Sequence, residues 1–204
     1  MPVGDWRMQW VRDPSPPVML PARLPPVRVL HLAPVARELD LAGAVTAGHG
    51  VAEVVGLTPQ GLLRRWDETG RVTLAPLWVE PAVAGHVNVV VMSHEEAPFV
   101  TALVEPVLRH GGLVVVTHGS GGCQVMTGSG GGQAVPALPA ARDADRSGAG
   151  DVFAAALLVA VAEGFEAVPA VRFAMAAAAC SIEGVGPAAI ADRPTVVRRL
   201  ASAT

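Results

Sequence analysis

Lysine is absent from this chain: all 15 of its basic side chains other than histidine are arginines. A Walker-type phosphate loop needs its lysine and Schiff-base chemistry needs an amine, so both are excluded. Charge is scarce too. Only 16% of the residues are charged, the formal net charge is -3, and no basic run occurs, which predicts no nucleic-acid partner. Cysteine is limited to Cys123 and Cys180, which gives neither a disulfide framework nor metal-ligand spacing. The six histidines are dispersed and unpaired in spacing. No apolar core follows Met1, so no leader is expected, and the longest apolar stretch, Val152 to Ala162, is too short to cross a bilayer. These absences predict a soluble cytoplasmic protein with no membrane partner.

What is present suits a globular domain. The chain has 204 residues, of which 51% are hydrophobic, enough to bury a core. Residues 1–26 are proline-rich; alternation in Trp6-Arg-Met-Gln-Trp10-Val suggests a short strand without an evident partner, followed by an extended connector. From Val27 the rhythm changes. Strands are predicted at Val27–Leu32, Ala52–Leu57, Val87–Met92 and Leu113–Thr117, with helices at Val35–Ala47 and Glu95–His110 between them and an irregular stretch over Thr58–Pro81. Continuous apolar strands alternating with helices indicate a mainly parallel sheet covered on both faces. Cys123–Thr127 and Gln133–Leu138 read as a hairpin across the glycine tip 128–132, and helices follow at Ala149–Ala162, Val168–Ile182 and Thr195–Ala201. The glycine tip is not a dinucleotide fingerprint, because an extended segment follows it rather than a helix.

Chemistry concentrates at Gly148-Ala149-Gly150-Asp151. Glycines allow a tight turn whose N–H groups converge on one point, and the helix beginning there adds its positive dipole end. Such a point suits the charge that builds on a phosphoryl group in transfer, and a carboxylate in the first helical turn can take the proton of an attacking hydroxyl. These four residues equally describe a plain turn with a charge that favours a helix start, and alone they do not decide between the two.

The wider sequence points one way. Asp145-Arg-Ser147-Gly-Ala-Gly-Asp151-Val-Phe153-Ala-Ala-Ala156 closely resembles the signature of the PfkB (ribokinase-like) carbohydrate kinases. Leu113-Val-Val-Val-Thr-His-Gly-Ser-Gly-Gly122 resembles that family's strand and glycine turn beside the nucleotide. Val87 to Ala97 resembles its strand followed by Asn-x-x-Glu-Ala, with Ser93 in place of the asparagine, and Phe173 to Ser181 its helix beside the adenine. His31–Glu38 and Pro59–Arg64 resemble one subgroup of uncharacterised members.

The resemblance implies a ribokinase-like three-layer α/β/α fold and ATP-dependent phosphoryl transfer to a sugar-like small-molecule acceptor. It makes Asp151 the catalytic base and the backbone of Gly148, Ala149 and Gly150 the anion hole. It assigns Thr117, Gly119, Gly122, Ala178 and Ser181 to the nucleotide, and Glu96 to the Mg²⁺ shell, through water. Asp145 and Ser147, with carbonyls from the loop over 181–186, would hold a monovalent cation such as K⁺. Each has a plainer reading: Glu96 as an ordinary charge at a helix start, Gly119 and Gly122 as hairpin glycines, Asp145 as a turn residue, and Arg146 as solvated surface.

The same resemblance implies an N-terminal truncation. Gly4 to Trp10 resembles the family's last lid strand, so residues 1–26 read as a lid remnant and connector and 27–204 as the nucleotide-binding domain. The acceptor-binding segment and first strands of the family would then precede this chain, whether through a misplaced gene start, a natural non-catalytic nucleotide-binding or assembly module, or a partner that supplies the missing half. The sheet edge so exposed predicts a homo-oligomer.

Overall fold

The structure, a computed structural model, describes residues 8–21, 23–128 and 130–202. In chain order its elements are β1 (Val27–Leu32), α1 (Leu41–Gly48), β2 (Ala52–Leu57), α2 (Gln60–Leu63), β3 (Arg64–Trp66), β4 (Val72–Leu74), α3 (Pro81–Ala84), β5 (Val89–Ser93), α4 (Thr101–Arg109), β6 (Leu113–Thr117), β7 (Cys123–Thr127), β8 (Gly130–Val135), α5 (Ala149–Ala162), α6 (Ala167–Ser181) and α7 (Arg193–Ser202). A six-stranded sheet runs β1-β2-β5-β6-β7-β8; its first four strands are parallel and its last two antiparallel.

Alternation within the buried strands divides the core. Val89 and Val91 face one layer of side chains, with Phe153 and Leu157 of α5 and Val171 and Ala174 of α6. Val90 and Met92 face the other, with Val45 of α1, Leu63 of α2 and Leu103 and Val107 of α4. The expected three-layer arrangement with a mainly parallel sheet is therefore present. Among the described residues no helix is long and apolar enough to cross a membrane.

Several boundaries differ from expectation for local reasons. Residues 35–39 are not helical, and α1 starts at Leu41. The Glu38 carboxylate instead accepts the N–H groups of Val35 (2.7 Å) and Ala36 (2.6 Å), and Arg37 takes a left-handed φ of 62°. A short side-chain loop thus outcompetes the first helical turn. The Glu95–His110 helix begins instead as a 3-10 turn over Ala97–Phe99, with Pro98 in that turn, before α4. Strand β8 starts at Gly130, so most of the glycine tip belongs to the strand and β8 stops at Val135.

The stretch expected to be irregular folds into α2, the hairpin β3-β4 and α3. This hairpin also supplies the partner that the N-terminal alternation lacked. Trp10 bridges Arg71 antiparallel, Val11 N–H donates to Gly70 O (2.8 Å) and Val72 N–H to Gln9 O (2.9 Å). Gly70, at φ 81°, would place a Cβ 2.2 Å from Val11 O, so the close approach requires glycine. Residues 4–7 of the presumed lid strand, and Ser129 of the glycine tip, lie outside the described residues.

Candidate active site

The C-terminal ends of β1, β2, β5 and β6 and the N-terminus of α5 meet at one edge of the sheet, the usual place for a ligand in an open α/β fold. Helix α5 begins on Gly148, left-handed at φ 78°, and nothing crowds the space where a side chain would stand on Gly148 or Gly150. Val152 N–H closes the first turn onto Gly148 O (2.9 Å). The amides of Gly150 and Asp151, one residue earlier each, have no intrahelical acceptor and point out of the helix start. Asp151 itself is exposed in the first turn.

On one side of this helix start lies a cleft of about 610 Å³. Thr117, Gly119, Gly122, Ala149, Gly150 and Ala178 all line it, so six of the residues singled out in the sequence come together. Phe153, Met175, Ala179 and Ile182 add an apolar wall, and Arg142 and Arg146 stand at the same cleft. The glycine turn after β6 has a steric cause. Gly122, at φ 92°, would put a Cβ 2.2 Å from Val135 O, and its carbonyl accepts His118 N–H (2.8 Å). Thr117 reaches back across the sheet, its hydroxyl donating to Met92 O (3.3 Å). Ser181 is absent from that lining; its hydroxyl donates to Ala178 O (2.8 Å) within its own helix.

The turn leading into α5 is tied to the end of α6. Ile182 O accepts both Ala144 N–H (2.8 Å) and Asp145 N–H (3.2 Å), while Asp145 Oδ1 accepts Ser147 N–H (2.8 Å). Asp145 is thereby tied to Ile182, in the loop over 181–186, and Ser147 to Asp145. Glu183 reinforces this seam: its carboxylate accepts Ala141 N–H (2.5 Å) and pairs with Arg199, and its carbonyl accepts the Arg142 guanidinium. Although burial works to raise it, these partners hold the Glu183 carboxyl below the usual glutamate value. Arg146 lines the cleft but is ion-paired with Asp143 (Nε–Oδ2 2.8 Å).

Among the described residues Glu96, 6% exposed, is the one buried charged side chain. Its Oε2 accepts Ser93 N–H (2.9 Å) while its own N–H donates to Ser93 Oγ (3.3 Å). That reciprocal clasp is the capping-box geometry. Burial pushes the Glu96 carboxyl up, against hydrogen bonds from Ser93 and Gln60 and the charge of Arg64.

Asp151 is not part of that lining, and its charge reaches residues to which the sequence reading assigned no role. His31, at the end of β1, is hydrogen-bonded to Thr58 (Nε2–Oγ1 2.8 Å); burial lowers its pKa and the Asp151 charge opposes that. Arg64 lies in the electrostatic field of Glu96, Glu38 and Asp151. Both sit within the two stretches that resemble one subgroup. The signal was the missing lysine, since any side-chain cation at a phosphate site here has to be arginine.

A family model described as pfkB family carbohydrate kinase matches residues 71–194. No curated protein matches the chain. Among solved structures, the Methanocaldococcus jannaschii nucleoside kinase, an archaeal member of the ribokinase family, overlaps with a TM-score of 0.68 at 21% identity, over 86% of this chain and 56% of that one. Arabidopsis thaliana ribokinase, complexed with ribose and ATP, gives 0.65 at 22% identity, over 84% and 55%. A pyrophosphate-dependent kinase of the ribokinase family in a sulfate complex gives 0.72 at 17% identity, over 98% and 70%. The chain spans little more than half the length of the first two. At such identities the overlaps establish the fold, and the match over 71–194 establishes the kinship: the chain belongs to the pfkB family of carbohydrate kinases.

Proposed function

We propose that the chain carries the ATP-binding and phosphoryl-transfer part of a carbohydrate kinase that acts on a hydroxyl of a sugar or sugar-like alcohol. The observation that carries this reading is the position of the α5 start, with open amides at Gly150 and Asp151 beside a cleft walled by Ala178, Met175 and Phe153. The apolar walls suit the faces of a purine, and the helix start suits the phosphate end.

In this reading Asp151 takes the proton of the acceptor hydroxyl as its oxygen attacks the γ-phosphorus. The bond from the γ-phosphorus to the β–γ bridging oxygen breaks, and ADP leaves with that oxygen. The Gly148, Ala149 and Gly150 backbone neutralises the charge on the transferring group without moving. Thr117, Gly119 and Gly122 shape the nucleotide side, and Ser181 acts there through Ala178. Mg²⁺, when bound, would supply positive charge that offsets the charge of the phosphates. Among the described residues no cluster of three His, Cys, Asp or Glu could hold a metal ion. Mg²⁺ needs only one or two carboxylates when phosphates complete its shell, so Glu96 fits as a partner through water. Asp145, Ser147 and the 181–186 carbonyls are the proposed holders of K⁺.

The test is phosphoryl transfer from ATP to a panel of sugars, nucleosides and vitamin alcohols, read as acceptor-dependent ADP release. ATP binding without transfer to any acceptor would leave the chain as a nucleotide-binding module and reject the enzyme reading.

A further inference from the structure

The C-terminal ends of β1 and β2, the strands on which α5 packs, are tied by segments far apart in the chain. Thr58 N–H donates to Leu32 O (2.9 Å) and Gly61 N–H to Pro34 O (3.1 Å), so α2 lies across the C-terminal ends of β1 and β2. The fit is close, since a Cβ on Gly61 would stand 2.2 Å from Pro34 O. Arg64 follows directly and is half-buried; its Nη1 donates to Val35 O (2.6 Å), which fixes the guanidinium over the ends of these strands.

The charges of Glu96, Glu38 and Asp151 all reach that guanidinium, yet among the described residues no carboxylate lies within 4.0 Å of it. Two of them have nearer partners: Glu38 accepts Val35 and Ala36 N–H, and Glu96 accepts Ser93 N–H. Arg64 thus spends one N–H on a backbone carbonyl and pairs with no acid. A guanidinium carries five donors in a planar fork matched to phosphate oxygens. Without it, a polyanionic donor at the helix start would meet the charges of nearby carboxylates with no side-chain cation to offset them, and like charges in a half-buried site repel.

We propose that Arg64 contacts the transferring phosphoryl group itself, gripping its oxygens from the side opposite the Gly148–Gly150 backbone, an assignment that rests on the kinase reading above. The group transferred would then lie between a backbone wall and a side-chain fork, with Asp151 beside both. Arg65 has a different task. Its Nη1 donates to Leu62 O (2.9 Å) and Arg64 O (2.9 Å), closing the end of α2, so the neighbouring arginine serves as an internal control.

ATP and ADP share every group except the γ-phosphoryl, so their affinities separate this contact from general effects on the fold. Calorimetric titration of the whole chain with Mg²⁺-ATP and Mg²⁺-ADP is expected to show Arg64→Gln weakening ATP by about tenfold or more, the worth of a charge-assisted hydrogen bond, with ADP unchanged. Arg64→Lys should fall between, keeping the charge and losing the fork, and Arg65→Gln should leave the ATP-to-ADP ratio as it is. An Arg64→Gln variant that weakens both nucleotides equally, or neither, overturns the proposal while leaving the kinase reading standing. A wild-type chain that binds neither nucleotide overturns that reading, and this proposal with it.

Discussion

The two walls of the site are made of different material. Toward the cleft the surface is backbone: a left-handed Gly148 and open amides at the start of α5, and after β6 a Gly122 turn pressed against Val135 O. Toward β1 and β2 the surface is side chain: His31 is bonded to Thr58, Gln60 to Glu96, and Arg64 to the carbonyl of Val35. A backbone site depends on glycine at fixed local spacing and so announces itself in a short motif. A side-chain site depends on which loops meet, and its members look ordinary one at a time. The family match has the same asymmetry: it covers 71–194, including the first wall and Glu96, and stops short of Arg64.

The largest expected effect tests the backbone wall together with its base. Asp151→Asn should lower acceptor-dependent turnover by about 10²- to 10⁴-fold, the usual worth of a general base, while Mg²⁺-ADP affinity stays near wild type. Retained turnover would remove Asp151 from the chemistry and dissolve the contrast between the walls.

Next comes the side-chain wall. Gly61→Ala drives a methyl group to within 2.2 Å of Pro34 O, a backbone atom that cannot swing away. The expected loss is about 1–3 kcal/mol of unfolding free energy, with ATP weakened more than ADP as Arg64 shifts. Denaturant titration measures the first and calorimetry the second.

Glu96→Gln is a smaller change and should be stabilising. Its folded pKa is raised by burial, so the folded state favours the protonated form, and ionisation costs stability as pH climbs from the ordinary glutamate range through the raised value. The variant should therefore melt higher than wild type at neutral pH, with the gain vanishing below the ordinary glutamate range. A pH-independent difference in melting temperature would contradict this.

Glu183 has the opposite sign. Its folded pKa is depressed, so its contribution is present above the ordinary glutamate value and fades as pH falls through the lowered one. Acid should loosen the link between residues 139–146 and α7 before the sheet yields, and Glu183→Gln should remove that early phase. Amide exchange at Ala141 is the readout.

Much of the fold was legible because buried parallel strands are continuous apolar runs: β1, β2 and β6 match their expected limits, as does α5. The early start expected for α1 failed because Glu38 binds backbone amides that a helix would have left to water, a competition that composition does not reveal. The hairpin β3-β4 was missed because three-residue strands have no readable period, and because its third partner, Trp10, is distant in sequence. At the site, Asp151 and its glycines were readable from one motif. Arg64 was visible in one such stretch but carried no role, since the charges of Glu96 and Asp151 reach it only once the chain is folded.

The carbonyl of Ile182 has a further consequence. It receives two amides from the turn that precedes α5, so the first residue past α6 and the approach to α5 share one anchor. Ile182 also lines the cleft, so one residue both borders that cavity and ties down the approach to Gly148 and Asp151. The end of one helix and the start of the other are thereby geared to each other through a single oxygen atom.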